Sequence, residues 1–267
     1  MTAVISTTYD DRYLWFLPLT TWAWNKLGVD VVCFMPYQYA ESVQKFGLVY
    51  DTIEENNLKC DFWNFDCPEH KEATYSQCSR LFGGCLDLPE DEILVTGDID
   101  MLLLANPAIN LNKDCFYVLG ADLVPEKQYP ICYLMSSVKK WREVFDISNQ
   151  TYQQKLDELL GDIDCENMRG NYWGKDQEEA FNKISQCQHK VLMNRAILGT
   201  QFAGNRYDRD DVFLLDRLSL NTVDYHMNRP GFEDENFNKI LQVLQYHYPN
   251  ENFEWLINYN EEYKRLL

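Results

Sequence analysis

Two carboxylates stand two residues apart in Ile93-Leu94-Val95-Thr96-Gly97-Asp98-Ile99-Asp100. On an extended segment, residues i and i+2 point the same way. Two carboxylates held close together do not both stay ionised without a cation between them. A hard divalent ion with oxygen ligands is the natural partner, and it keeps open positions for water and phosphate oxygens. The apolar runs at 93–95 and 101–104 would bury the flanks of such a site. An Asp-x-Asp pair is common, however, and at a solvated strand end it does no chemistry. Its place in the fold therefore matters as much as its composition.

That place is the end of a strand. Residues 3–6 read as a short buried strand, 12–27 as a helix stopped by Gly28, and 29–35 as a second strand. Pro18 inside the helix predicts a kink or a late start. Strand, helix and strand with tight connections make a βαβ unit and imply a parallel sheet. In such sheets ligands bind beyond the carboxyl ends of the strands. Further along, 37–46 reads as a short helix stopped by Gly47, 60–65 as a strand and 69–85 as a helix. Residues 93–96 form a compact strand that runs straight into the aspartate pair. In the second half, 115–119, 132–136 and 212–215 read as strands. Residues 138–145, 152–160, 175–185, 234–246 and 252–266 read as helices. With no repeat, low-complexity stretch or linker, the simplest expectation is one α/β domain with a helical C-terminal cap.

Composition narrows the function. The chain has 267 residues, 24 Lys+Arg against 42 Asp+Glu, and a formal charge of −18. Apolar residues at 46% and charged residues at 25% are ordinary for a folded protein and exclude general disorder. No basic footprint is available for nucleic acid, and the charge disfavours anionic lipid. It leaves room for a divalent cation and for a local basic spot on a small anionic ligand. The nine cysteines are scattered, and Cys60/Cys67 and Cys78/Cys85 are each seven apart, unlike a zinc-binding CxxC pair. They read as reduced thiols, hence a reducing, cytoplasmic setting. The first residues have no basic n-region of a signal peptide. Residues 13–24, the most apolar run, are too few to span a bilayer, so no transmembrane segment is expected.

The stretch Ser79-Arg80-Leu81-Phe82, followed by Leu88-Pro89-Glu90-Asp91-Glu92 and the strand into Asp98-Ile99-Asp100, resembles a known signature. It is similar to the helix-turn-strand-DxD block of nucleotide-sugar glycosyltransferases of the GT-A fold. Within them it is closest to the retaining family of glycogenin and the lipopolysaccharide galactosyltransferases. Three further segments match in order. Asp10-Asp11-Arg12-Tyr13 is similar to the uracil-contacting loop, Trp173-Gly174-Lys175-Asp176-Gln177-Glu178 to a W-x-D-Q-D segment, and Tyr225-His226-Met227-Asn228-Arg229-Pro230-Gly231 to a late histidine block. Two departures stand out. Ile131-Cys132-Tyr133-Leu134-Met135 replaces the family's Asn-x-Gly turn, and Arg229 stands where the family has lysine.

The resemblance implies a single GT-A, Rossmann-like domain over 1–267, with a mixed, mostly parallel sheet flanked by helices. Residues 1–120 would be the nucleotide-binding half, 121–232 the acceptor and donor-sugar half, and 233–267 the C-terminal helices. It implies a metal-dependent hexosyltransferase that uses a UDP-sugar and acts with retention on a glycan, protein or lipid acceptor. Asp98, Asp100 and His226 would hold Mn²⁺ or Mg²⁺, and imidazole tilts the choice toward manganese. Tyr9 and Asp10 would face the uracil, although Asp10 equally suits a helix N-terminus. Arg80 would contact donor sugar or phosphate; otherwise it is a surface arginine pairing with Glu72 or Asp87. Arg229 would neutralise the leaving diphosphate. Asp176 and Gln177 would lie by the anomeric carbon and sugar hydroxyls, with helix capping as the plainer role of Asp176. Tyr133, Tyr172 and Trp173 are expected nearby as stacking faces. Two alternatives remain: a nucleotidyltransferase of related fold and a non-catalytic GT-A-like binding protein. The first would want a glycine-rich basic loop after the first strand, but residues 7–12 are acidic and lack glycine.

Overall fold

The computed structural model describes residues 1–37, 43–105, 111–122, 124–161, 174–193, 205–209, 218–220 and 222–267. The chain opens with β1 (Thr2–Ser6), every residue of it buried. The long first helix expected from the sequence is split into α1 (Asp11–Leu14) and α2 (Leu17–Lys26). Pro18 sits in the first turn of α2, where a missing N–H leaves no intrahelical bond unmade, so proline sets the late start. Next come β2 (Asp30–Pro36), α3 (Val43–Glu55), β3 (Cys60–Phe65) and α4 (Glu72–Ser79). The expected stop at Gly47 is not used. α3 runs through it, because Val49, Thr52 and Ile53 carry the buried stripe beyond that point. The helix expected over 69–85 ends at Ser79 and tightens into a 3₁₀ segment, Arg80–Cys85, that contains Gly83 and Gly84.

β4 (Ile93–Thr96) and β5 (Met101–Leu103) flank the aspartate pair. β6 (Phe116–Leu119), β7 (Leu134–Ser137), α5 (Val138–Val144), α6 (Tyr152–Leu160) and α7 (Lys175–Ile184) follow, all close to expectation. The strands β8 (Lys190–Met193), β9 (Asn205–Tyr207) and β10 (Thr222–His226) are additional to the sequence reading. The strand expected at 212–215 lies outside the described residues, as do Tyr172 and Trp173. α8 (Asp234–His247) and α9 (Glu254–Arg265) close the chain.

Seven strands form a mixed sheet in the order β3-β2-β1-β4-β7-β6-β8. The β1–β2, β2–β3, β1–β4 and β6–β8 pairs are parallel, and β7 is antiparallel to both β4 and β6. Strand order reverses between β2 and β4, on either side of β1, which makes their carboxyl ends the switch point where such sheets take ligands. Alternation along β1 feeds two apolar layers: Ala3 and Ile5 face one, Val4 the other. A second, three-stranded sheet, β5-β10-β9, stands at the mouth of this switch point. Its β5–β10 pairing is antiparallel and sets Met101 opposite His226.

The C-terminal helices brace the entry to α1. Tyr259 donates to the Trp15 carbonyl (3.0 Å) and Tyr263 to Asp11 (2.9 Å). Trp15, fully buried, packs edge-on to Phe237 and stacked on Tyr259, with ring centroids 6.0 Å away in both cases. Gly231 abuts the same ring, and a Cβ there would overlap Trp15. The late Arg229-Pro230-Gly231 block is thereby locked against the first helical turn. Among the described residues, no helix is long and apolar enough to cross a membrane.

Candidate active site

β4 ends at Thr96, and Gly97 turns the chain toward the aspartates. A Cβ at Gly97 would come within 3.1 Å of the Trp24 ring and 3.4 Å of Ile5, so a larger residue would need these neighbours to give by a few tenths of an ångström. Beyond this turn, a cavity of about 310 Å³ opens at the carboxyl ends of β1 and β4. Arg80, Asp98, Asp100, Asp176, Gln177, His226 and Arg229 all line it. These residues come from four separate stretches of chain. Arg206, Arg209, Cys132 and Tyr13 line it too.

Arg80 is buried at the base, and its hydrogen-bonding donors are engaged by the protein itself. Nη1 donates to Asp98 and to the Gly97 carbonyl (3.0 Å), Nη2 to Asp176 (3.0 Å), and Nε to the Gln77 carbonyl (3.3 Å). It is therefore neither a surface arginine nor paired with Glu72 or Asp87. It is a fork that ties two carboxylates from distant segments. Burial pushes the Asp98 carboxyl up, but the Arg80 charge and hydrogen bond outweigh it and hold Asp98 below the usual range. The balance reverses at Asp176, where burial and the Asp98 charge outweigh Arg80 and raise its pKa to about 6. Asp176 is the second residue of α7, whose N-cap is Gly174 in a left-handed conformation (φ 99°). Its carboxyl turns inward and accepts from the Gln177 backbone N–H (2.9 Å). It is thus not the helix N-cap.

Asp100 has a different set of neighbours. Its Oδ2 accepts from Arg209 Nη1 at 3.0 Å, with Arg229 Nε at 3.3 Å and His226 Nε2 at 3.5 Å. The β5–β10 register brings His226 there, aided by a bond from the Met227 N–H to the Asp100 carbonyl (2.9 Å). The other ring nitrogen of His226 lies 3.4 Å from Asp208. Arg229 also donates to the Tyr13 hydroxyl, and its guanidinium lies 4.8 Å from the centre of the Tyr13 ring. A third ion pair stands behind the wall. Arg206 grips the fully buried Asp224 with Nε (3.2 Å) and Nη2 (3.0 Å), while Tyr133 donates to the same carboxylate (3.2 Å). Cys132, in the segment that departs from the family, lies 3.8 Å from Arg206, and burial pushes its thiol up to about 12.

Tyr9 and Asp10 do not line this cavity; Thr7, Thr8 and Tyr13 do. Asp10 caps α1, accepting from the Arg12 N–H (2.9 Å), and pairs with the Arg12 guanidinium. Tyr9 meets Phe46 edge-on at 5.8 Å. Asp10 thus fills the capping role that its place at a helix N-terminus allows.

Asp98, Asp100 and His226 share the cavity, but they are not a ready-made chelate. Among the described residues no three His, Cys, Asp or Glu side chains stand together as a metal cluster. Their chemistry nonetheless fits a divalent ion: two carboxylates and an imidazole suit Mn²⁺ or Mg²⁺. The 3.5 Å between Asp100 Oδ2 and His226 Nε2 is a spacing that two ligands of one ion can have.

The chain matches no protein-family model, and no curated protein matches it. Its fold does have solved counterparts. The galactosyltransferase LgtC, in complex with donor and acceptor sugar analogs, aligns over 100% of both chains with a TM-score of 0.53 and 13% identity. A second LgtC structure, an active-site mutant, aligns over 100% of this chain and 95% of its own, with a TM-score of 0.50 and 13% identity. The glycosyltransferase GlyE of Streptococcus pneumoniae aligns over 99% of this chain and 63% of its own, at a TM-score of 0.49 and 11% identity. The LgtC likeness shows the fold: this chain has the GT-A, Rossmann-like architecture that the sequence resemblance implies.

Proposed function

We propose that this protein is a glycosyltransferase that moves a hexose from a UDP-sugar to the hydroxyl of a glycan, protein or lipid, with retention and with Mn²⁺ or Mg²⁺. One observation carries the reading. A chain of charge −18 gathers four arginines, three aspartates and a histidine on one cavity at the switch point of its sheet. Concentrated guanidinium in an acidic protein suits a small polyanion such as a diphosphate. Carboxylates and an amide beside it suit sugar hydroxyls.

Asp98, Asp100 and His226 would hold the ion, which when bound supplies Lewis-acid neutralisation of diphosphate charge. Arg229, fixed on Tyr13, would stabilise negative charge as the nucleoside diphosphate departs. Asp176 and Gln177 open α7 toward the cavity and would bind the sugar, Asp176 being oriented by Arg80. Among the described residues, each aspartate of this wall is tied to an arginine: Asp176 and Asp98 to Arg80, and Asp100 to Arg209. That arrangement favours front-side attack by the acceptor hydroxyl, with the departing phosphate taking its proton. The scattered cysteines favour a cytoplasmic setting.

The test is a donor screen. UDP-, GDP- and TDP-sugars are incubated with the protein and Mn²⁺, and released nucleotide is measured with EDTA as control. Slow, EDTA-sensitive release of UDP from one sugar is expected, water serving as acceptor. Silence across the panel, together with no binding of UDP, would reduce the likeness to one of fold alone.

A further inference from the structure

Two arginines and a histidine converge on one oxygen of Asp100, and they are not equally committed to it. His226 is fixed by the backbone register of β10 against β5, and its second nitrogen faces Asp208. Arg229 is held by the Tyr13 hydroxyl and the Tyr13 ring. Arg209 makes the shortest contact with the carboxylate, 3.0 Å, and among the described residues its side chain has no other hydrogen-bond partner. It also lines a second, adjoining cavity with Arg12, Tyr13, Asn228 and Arg229. It therefore has a long side chain, a cavity to one side and, among the described residues, a single tether.

We infer that Arg209 is the internal counter-cation of Asp100. In the ligand-free protein it neutralises the carboxylate that a divalent ion needs, and on loading it transfers from Asp100 to the diphosphate of the donor. This rests on the glycosyltransferase reading above, and it concerns a residue with no place in the motifs that suggested that reading. The physical argument is charge balance. Asp100 is 5% exposed, and a carboxylate so buried needs a cation at all times. A diphosphate entering so acidic a protein needs cations as well. A guanidinium that exchanges one anion for the other meets both needs without ever being buried unpaired. Its consequence is coupling. Arg209 competes with the ion in the absence of nucleotide and assists the nucleotide once the ion is present, so each ligand favours the other.

The experiment measures binding, not turnover. Mn²⁺ alone, UDP with EDTA, and UDP with saturating Mn²⁺ are titrated calorimetrically into the unaltered protein, Arg209→Gln and Arg209→Lys. Arg209→Gln is expected to bind Mn²⁺ alone roughly two- to five-fold more tightly, because a part-exposed competing ion pair is gone. It is expected to bind UDP in the presence of Mn²⁺ about ten-fold more weakly, because a charge-assisted contact is lost. Arg209→Lys should fall between on both axes, since it keeps the charge without the fork. The opposite signs are diagnostic. Unchanged or weaker Mn²⁺ binding in Arg209→Gln, with UDP binding intact in the unaltered protein, overturns the counter-cation role alone. Failure of the unaltered protein to bind either ligand overturns the glycosyltransferase reading and this inference with it.

Discussion

Asp98 and Asp100 lie two residues apart on one strand end, and their surroundings are opposite. Asp98 belongs to a cation-poor cluster, with one buried arginine shared between two carboxylates that come from β4 and α7. Asp100 belongs to a cation-rich one, where two arginines and a histidine reach the same oxygen from the β9 and β10 side. The Arg80 side chain is 6% exposed, whereas Arg209 and Arg229 are 22% and 24% exposed. Arg80 and Asp176 thus form a buried pair, with the Asp98 carboxylate, 33% exposed, beside them. The second cluster is a set of partly solvated contacts that can open. The difference teaches how a short motif can set two carboxylates in opposite surroundings: one shares a buried arginine with Asp176, and the other meets two part-exposed arginines and a histidine.

Breaking the buried fork should have the largest effect. Arg80→Ala leaves the buried Asp176 without its cation, and removing one partner of a buried pair costs about 3–5 kcal/mol. Urea unfolding measures it, and a loss under about 1 kcal/mol would make the Arg80 cluster no different from a surface pair.

A pH series sharpens the same side. Asp176 is held protonated up to about pH 6 in the folded protein and to its ordinary 3.8 when unfolded. Between those values the native state retains a proton that the unfolded state has lost. Stability therefore falls as pH rises through this window, by about 3 kcal/mol in all. Asp176→Asn should abolish that slope, read as the difference between unfolding free energies at pH 4 and pH 7. An unchanged slope would mean that Asp176 ionises as an ordinary surface carboxylate.

The Asp100 cluster should behave otherwise. Asp100→Asn is expected to change stability by only about 1 kcal/mol, since its cations can turn to water. It should nevertheless abolish Mn²⁺-dependent binding of UDP. A stability loss as large as that of Arg80→Ala would erase the contrast between the two clusters. Smallest of all, Asp10→Ala should cost about 0.5–1 kcal/mol as a lost cap and leave UDP affinity unchanged. A ten-fold loss of UDP affinity would restore the uracil role to that loop.

Several parts of this arrangement were legible before folding. The βαβ opening and the strand at Ile93–Thr96 are continuous apolar runs between tight stops, the pattern that a strand buried on both faces must have. Pro18 marked the late start of α2 for a local steric reason. Other parts were hidden. Asp224 is fully buried inside β10 and breaks the apolar pattern that would have revealed the strand. A buried strand aspartate demands a cation, but nothing local says that Arg206 supplies it. Arg209 sits in the short polar run Asn205-Arg206-Tyr207-Asp208-Arg209, which has no periodicity to place it. At Asp10 two local meanings competed, and the cap forms because its partner N–H is two residues away.

The sequence by itself determined the strand ends, the glycine that turns the chain and the two carboxylates after it, because these depend on neighbours within a few residues. Only the tertiary structure decided which cation each carboxylate meets. Arg80 reaches Asp176 across 96 residues, and Arg209 reaches Asp100 across 109. Those partners are chosen by the packing of α7 against α4 and by the register of β10 with β5 on one side and β9 on the other. Coulombic pairing depends on distance in space, and that distance exists only after the two sheets have formed.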